Sequence, residues 1–222
     1  MRILLAIVIL AIGAEPIWAD ELKRKCNSTR KGFSACMTII NDPNSTNHKK
    51  AYAYFMMGSY KSKALNDIPG AILFFTEAIN LKPTHAFQTL FYSQRGLHFI
   101  KQKKYSEALK DFDKAIKLTP SSIWAYRGRA QTFLQLNSPE RAIDSLNTML
   151  KLAEKDKRSS KNMRLSSMSM ALRDRGRVYE EIGNFEQAMK DYKAAHKLYP
   201  KHKANKKAID KLTAKLNGKK SN

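Results

Sequence analysis

Few side chains in this sequence have the types and spacing that chemistry needs. Cys26 and Cys36 are its only cysteines, with neither a Cys-x-x-Cys arrangement nor a neighbouring histidine that would suggest a redox site. The five histidines, His48, His85, His98, His196 and His202, are scattered and read as solvated side chains. There is no Gly-rich phosphate loop, no His-Glu-x-x-His, no second cysteine pair for zinc and no serine in a nucleophile elbow. Acidic residues are few, and most stand among lysines at helical spacing, as Asp111 and Asp113 do, which reads as surface ion pairing. The expectation is a non-enzymatic protein without a metal or cofactor. What remains is recognition chemistry. Trp124, Arg127, Arg173 and Arg177 combine an aromatic surface with guanidinium groups. Guanidinium pairs a carboxylate bidentately while an indole covers apolar side chains. The alternative is that Trp124 packs under neighbouring helices and the arginines are merely solvated.

These residues need helices to position them, and the sequence shows which. The stretch Tyr92–Pro120 carries Gly96, Phe99, Ala108, Phe112, Ala115 and Pro120. The same spacing returns 80 residues later as Gly176, Tyr179, Ala188, Tyr192, Ala195 and Pro200. Two copies of a six-point pattern mark a helical-hairpin repeat with a period of about 34 residues. Antiparallel helices that pack closely need small residues where their axes cross, so Gly96 is expected to face Ala108, with aromatics filling the space beside them. The proline follows the second helix because it cannot continue one. One hairpin cannot bury its apolar face alone, so copies must stack.

The pattern resembles the tetratricopeptide repeat (TPR) family. The resemblance covers about residues 49–202 and implies an all-α, TPR-type α-solenoid of antiparallel helix pairs, with about four repeats. The repeats are placed at 49–85, 89–122, 123–156 and 169–202, with a lone helix over Lys31–Ile40 ahead of them and a polar linker over 41–48. Packing positions are Gly58 and Ala71, Gly96 and Ala108, Ala130 and Ala142, and Gly176 and Ala188. Lys61 stands where the first repeat should have an aromatic. The third repeat has Met149 for alanine and lacks the closing proline, so its second helix is expected to run toward Lys157. Residues 157–168 are rich in serine and basic residues and read as a loop, or else as an extension of the following helix. Residues 203–222 form a cap helix and basic tail, with Ala208, Ile209, Leu212 and Leu216 on one side and fraying expected from Asn217. A membrane-surface helix is the alternative for this lysine-rich segment, although it lacks a large apolar anchor.

Residues 1–19 have a basic start, an apolar run from Ile3 to Ile12, and small or helix-breaking residues up to Ala19. That is the layout of a secretory signal peptide cleaved after Ala19, the alternative being an uncleaved anchor. Residues 20–48 then hold the cysteine pair, which in an exported protein reads as a Cys26–Cys36 disulfide. On one continuous helix the two would lie about 15 Å apart. A disulfide needs Cα atoms within roughly 4.4–6.8 Å, so the chain must reverse, with Asn27-Ser28-Thr29 and Gly32 as turn residues. The resemblance extends to small exported TPR proteins of Gram-negative bacteria in which a cysteine pair precedes the repeats.

In such proteins the first helix of each pair lines a concave face. Residues there that packing does not use are candidates for a partner: Ser93, Leu97 and Lys101 in the second repeat, Trp124, Arg127 and Gln131 in the third, Arg173 and Arg177 in the fourth. The resemblance implies a protein- or peptide-binding scaffold of the periplasm or the exterior. It does not imply the clamp for acidic chaperone C-termini, because the first-repeat helix AYAYFMMGSYK lacks the lysine and asparagine pair of that clamp. The formal net charge of +22, from 41 Lys and Arg against 19 Asp and Glu, supports a second reading. This is a binder of an anionic polymer or surface: nucleic acid, lipopolysaccharide or acidic lipid. A genome poor in G and C produces the same lysine-rich bias without a functional cause.

Overall fold

The computed structural model describes Cys26 and residues 30–220, so the signal-peptide expectation for 1–19 falls outside the described residues. Among these residues there are ten helices and no strand. They are α1 (Arg30–Asn41), α2 (Asn47–Ala64), α3 (Ile68–Asn80), α4 (His85–Lys101), α5 (Tyr105–Leu118), α6 (Ile123–Gln135), α7 (Pro139–Lys155), α8 (Lys161–Glu181), α9 (Phe185–Leu198) and α10 (Lys203–Lys220). The chain divides into two compact units, one ending at Thr119 with α1–α5 and one beginning at Pro120 with α6–α10. No described helix is long and apolar enough to cross a membrane.

Helices pair as hairpins: α2 with α3, α4 with α5, α6 with α7, and α8 with α9. Each hairpin turns on one residue in the left-handed region, Asn66, Lys103, Asn137 or Gly183, at equivalent positions. That conformation closes the last turn of the first helix and redirects the chain. Asp67 caps α3, accepting from the Gly70 N–H at 2.8 Å, and Asn184 caps α9, accepting from Gln187 N–H at 3.2 Å.

The glycines sit at the helix crossings, where the expected alanine backs two of them, the Ala71 carbonyl oxygen at 3.1 Å from a Cβ on Gly58 and the Ala188 carbonyl oxygen at 3.2 Å from one on Gly176, and a ring lies nearer still at all three. A Cβ on Gly96 would lie 2.9 Å from the Phe112 ring. On Gly58 it would lie 2.7 Å from the Phe75 ring, and on Gly176, 2.7 Å from the Tyr192 ring. The aromatic of the second helix fills the glycine's missing side chain, and Ala71, Ala108 and Ala188 are buried alongside. The third repeat makes the opposite choice. Ala130 replaces the glycine, and the smaller Leu146 replaces the ring, both buried.

Two further expectations are corrected, those for Gly32 and for the end of α10. Gly32 is a buried residue within α1, not a turn residue. Of the two readings of 157–168, extension of the following helix is the one seen from Lys161 on: residues 161–168 form the first two turns of α8, capped by Ser160, which accepts from the Met163 N–H at 3.3 Å. The capping hydroxyl outweighs the loop tendency of a serine-rich stretch. Helix α10 continues through Asn217 to Lys220. Ser138 precedes Pro139 but makes no capping hydrogen bond.

Cys26 and Cys36 are disulfide-bonded, with Cα atoms 5.2 Å apart, and both are buried beside Tyr52, Ala53 and Met57. Lys61, in place of an aromatic, pairs with Asp67 at 3.0 Å. Phe33 of α1 supplies rings there instead, with centroids 5.5 Å from Tyr60 and 6.0 Å from Phe74.

Asp111 is buried rather than on a solvated face. It accepts from Arg95 at 2.7 and 2.8 Å, and the third arm of Arg95 donates to Thr76 of the preceding hairpin at 3.0 Å. The same device recurs in the second unit. Arg175 clamps Asp191 at 2.7 Å twice and donates to Asn147 at 2.6 Å. Burial pushes the Asp111 carboxyl above its ordinary range, with Arg95 pulling the other way.

His98 is also buried, contrary to the expected solvated setting. Its Nδ1 donates to the Gln94 carbonyl at 2.7 Å, its Nε2 faces the Ser62 hydroxyl at 2.7 Å, and its ring meets Phe75 edge-on. Burial holds its pKa below the ordinary value of 6.5, and Lys101 adds to the depression. The unfolded chain therefore binds this proton more readily than the folded one. His98 contributes stability above pH 6.5 that is lost as the pH falls through the folded value. Thermal melts taken from pH 7.5 downward should show the first unit weakening below about 6.5. His98→Gln should lower the melting point at neutral pH but flatten that decline. An unchanged slope in the variant would assign the acid sensitivity elsewhere.

Candidate functional site

The recognition candidates of the second unit lie on α6 and α8. Spacing of three or four residues places Trp124, Arg127 and Gln131 along one side of α6, and Arg173 and Arg177 along one side of α8. Trp124 is 55% exposed, so it does not pack under a neighbouring helix. Arg127 stacks toward its ring at 6.0 Å and donates to Asp174 at 2.6 Å, linking the first helices of two successive hairpins. Asp174 is buried, and its other oxygen has no hydrogen-bond partner among the described residues. Arg173 lies 3.9 Å from that oxygen.

Arg173 is held from behind by α10. It donates to Asn205 at 3.3 Å and lies 3.5 Å from His202 Nδ1. Asn205 is fully buried and donates to Ser169 at 2.8 Å, to the Ala195 carbonyl at 3.0 Å and to the Tyr199 carbonyl at 3.1 Å. Leu212 is buried against Ala188 and Tyr192, with Ala208, Ile209 and Leu216 packed around them. The apolar side of α10 is therefore occupied by the last hairpin, which removes the membrane-surface alternative for that helix. Burial pulls the Arg173 guanidinium below the ordinary arginine range, with Asp174 opposing, and it remains a cation at neutral pH.

Arg127 and Arg173 are thus neither core residues nor merely solvated, being anchored, whereas Arg177 is exposed. In the first unit, Lys101 is exposed and Leu97 half-buried. Ser93 is buried, and its hydroxyl donates to the Thr89 carbonyl at 2.7 Å, so it offers a partner no surface.

Two open clefts in the second unit hold Trp124 apart from Arg173 and Arg177, and neither is lined by Arg127 or Gln131. One, of about 770 Å³, lies between α8 and α10 and contains Arg173, Arg177, Lys207, Lys211 and Lys215 against Glu180 and Glu181. Lys215 reaches Glu180 at 3.4 Å, and Glu180 also accepts from the Tyr192 hydroxyl at 2.9 Å. Burial and that carboxylate push the Tyr192 phenol upward, so it stays protonated. The other cleft, of about 460 Å³, contains Trp124, Met163 and Arg164. Sequence reasoning missed the lysines of α10, although Lys207, Lys211 and Lys215 recur at a spacing of four, the mark of one helix face. No cluster of metal-ligating side chains occurs among the described residues.

The hairpins and their glycine–ring crossings agree with sequence comparison. The family profile described as "TPR repeat" matches residues 96–137, and that described as "Tetratricopeptide repeat" matches 169–202. Residues 96–137 and 169–202 are tetratricopeptide repeats by these matches. Human Tetratricopeptide repeat protein 6 is 28% identical over 128 residues, which cover 58% of this chain and 22% of that protein. Tetratricopeptide repeat protein 36 of Caenorhabditis elegans is 37% identical over 60 residues, 27% of this chain and 34% of that protein. Rat Serine/threonine-protein phosphatase 5 is 32% identical over 91 residues, 41% of this chain and 18% of that protein. The chain thus spans 34% or less of the length of these curated relatives. The crystal structure of MamA superposes with a TM-score of 0.62 at 17% identity, over 82% of this chain and 95% of that one. That likeness shows the fold: all-α and of the TPR solenoid class.

Proposed function

We propose that the protein is a non-enzymatic scaffold that binds an acidic segment of a peptide or protein partner. The observation that carries this is the α8–α10 cleft, where five cations face two carboxylates and Arg173 is held in place by a buried asparagine. A fixed guanidinium loses little freedom when a carboxylate docks on it, and the exposed lysines add attraction at the rim. Trp124, Arg127, Gln131 and Arg177 extend the recognition surface of this unit, and Leu97 and Lys101 give the first unit one of its own. The scaffold works in the periplasm or outside the cell. Support for that comes from the leader-like residues 1–19 and from the buried disulfide, a bond that persists in oxidising compartments.

Charge reversal at exposed positions tests the cleft without touching its anchors. Arg177→Glu combined with Lys211→Glu should weaken binding of a short glutamate-rich peptide at least about ten-fold at near-physiological salt while leaving the helical signal intact. Isothermal titration against the parent protein gives the comparison. Unchanged affinity would remove the cleft from the reading. Retention on heparin that exceeds peptide binding, and that survives physiological salt, would favour the anionic-polymer alternative.

A further inference from the structure

The second cleft has a composition of which the acidic-segment reading uses Trp124 alone. It opens where the start of α6, the end of α7 and the first turns of α8 converge around the 156–160 loop. Trp124, Leu152 and Met163 give it an apolar wall. Trp124 and Met163 are 55% and 63% exposed and line the same cleft, which leaves both open to a partner. Lys155, Lys157, Arg158 and Arg164 supply four cations to its lining. Asp156 is the one carboxylate among the described lining residues, and it is already engaged, accepting from the Arg158 N–H at 2.9 Å and the Ser159 N–H at 3.3 Å. The volume of about 460 Å³ lies within the range of pockets that enclose small groups or a few side chains. The two extra turns of α8, capped by Ser160, form one wall, so this cleft is a product of the insertion between the third and fourth repeats.

We infer that this cleft is a second, separate docking site, for a peptide segment in which an apolar anchor is flanked by acidic residues. The anchor lies against the indole and the Met163 thioether, and the carboxylates meet the cations at the rim. Charge complementarity selects this occupant: a neutral apolar segment would leave four cations unused, and a purely acidic one would leave Trp124 and Met163 in water. A concave site with an engaged loop at its floor suits a chain segment better than a flat surface. The site does not depend on the α8–α10 cleft, and the two are separable by variant.

The chain has two tryptophans, Trp18 and Trp124, so full-length protein carrying Trp18→Phe reports on this cleft by its own fluorescence. The probe is a synthetic peptide with a Leu-Phe pair between runs of glutamate. It should shift Trp124 emission to the blue at near-physiological salt. Replacing Leu-Phe with Ser-Gly, or the glutamates with glutamine, should each raise the concentration needed at least about ten-fold. Arg158→Glu with Arg164→Glu should abolish the shift, and Arg177→Glu with Lys211→Glu should leave it within about two-fold. Circular dichroism confirms that each variant is folded. The inference is overturned by no shift with the parent protein, by equal binding of either control peptide, or by indifference to the Arg158 and Arg164 reversal. A shift with phosphatidylglycerol vesicles but not with peptide also overturns it, and reassigns the cleft to a membrane surface. A shift that depends only on Arg177 and Lys211 sinks this site while leaving the proposed function standing.

Discussion

Gly176→Val should destabilise the second unit by about 3 kcal/mol, the upper end of what overpacking costs. The first atom of the new side chain would fall 2.7 Å from Tyr192 Cε1 and 3.2 Å from the Ala188 carbonyl oxygen. Neither neighbour can move easily. The Tyr192 ring is 1% exposed and its hydroxyl is fixed on Glu180 at 2.9 Å, while the carbonyl belongs to helix backbone. Valine adds two methyl groups to that collision, so α8 and α9 must separate. Melting temperature should fall by roughly 6–12 °C, from about 2–4 °C per kcal/mol for a chain of this size. The third repeat provides the control. There Ala130 stands at the glycine's position and Leu146 at the ring's, both buried, a larger residue matched to a smaller one. Gly176→Ala alone should be destabilising. Gly176→Ala with Tyr192→Leu copies the third-repeat pair and should be less destabilised than the sum of the single changes. A double-mutant cycle in chemical denaturation measures that coupling. Simple additivity would mean that the glycine is not there for the ring.

The same comparison explains why the architecture was legible in the sequence and much of the site was not. Small residues at helix crossings must recur with the repeat, because helix geometry sets where backbones approach, and no other residue type fits beneath a ring. Gly58, Gly96 and Gly176 therefore stand out. Charged residues carry no such mark in a chain with 41 lysines and arginines. Asp111 looked solvated because lysines surround it in sequence, although its burial is decided by Arg95 and Thr76 on other helices. A usable signal was present: Arg95 and Asp111, each one residue before a packing position, return 80 residues later as Arg175 and Asp191. Ser93 and His98 were misjudged for a related reason. Their polar groups are satisfied by carbonyls one turn back and, for His98, by Ser62 on α2, and sequence spacing does not reveal such long-range partners. The clefts depend on Ser160 starting α8 early and on Asn205 seating α10, single capping and docking residues with no periodicity to expose them.

The recurring arginine clamp leads to the other large effect. Asp191→Ala should destabilise the second unit by roughly 3–5 kcal/mol, the cost of breaking a buried pair and stranding its partner. Asp191 is 3% exposed and takes two of the three arms of Arg175, leaving only Asn147 at 2.6 Å to satisfy a half-buried guanidinium. An arginine's ordinary pKa is so high that deprotonation offers no escape once Asp191 is gone. Asp191→Asn keeps one acceptor and should lie between the parent and the alanine variant. The first repeat shows that the clamp is not required for the hairpin to form. At the positions equivalent to Arg175 and Asp191 it has Met57, which is buried, and Phe74. Arg175→Met with Asp191→Leu should therefore recover most of what Asp191→Ala loses, since a well-packed apolar pair replaces a buried ion pair at little net cost. Urea titrations of the parent, the two single variants and the double variant decide this. If the double variant is as unstable as Asp191→Ala, the clamp supplies net stability through the Arg175–Asn147 link to the preceding hairpin, and the apolar pair of the first repeat is not a substitute for it.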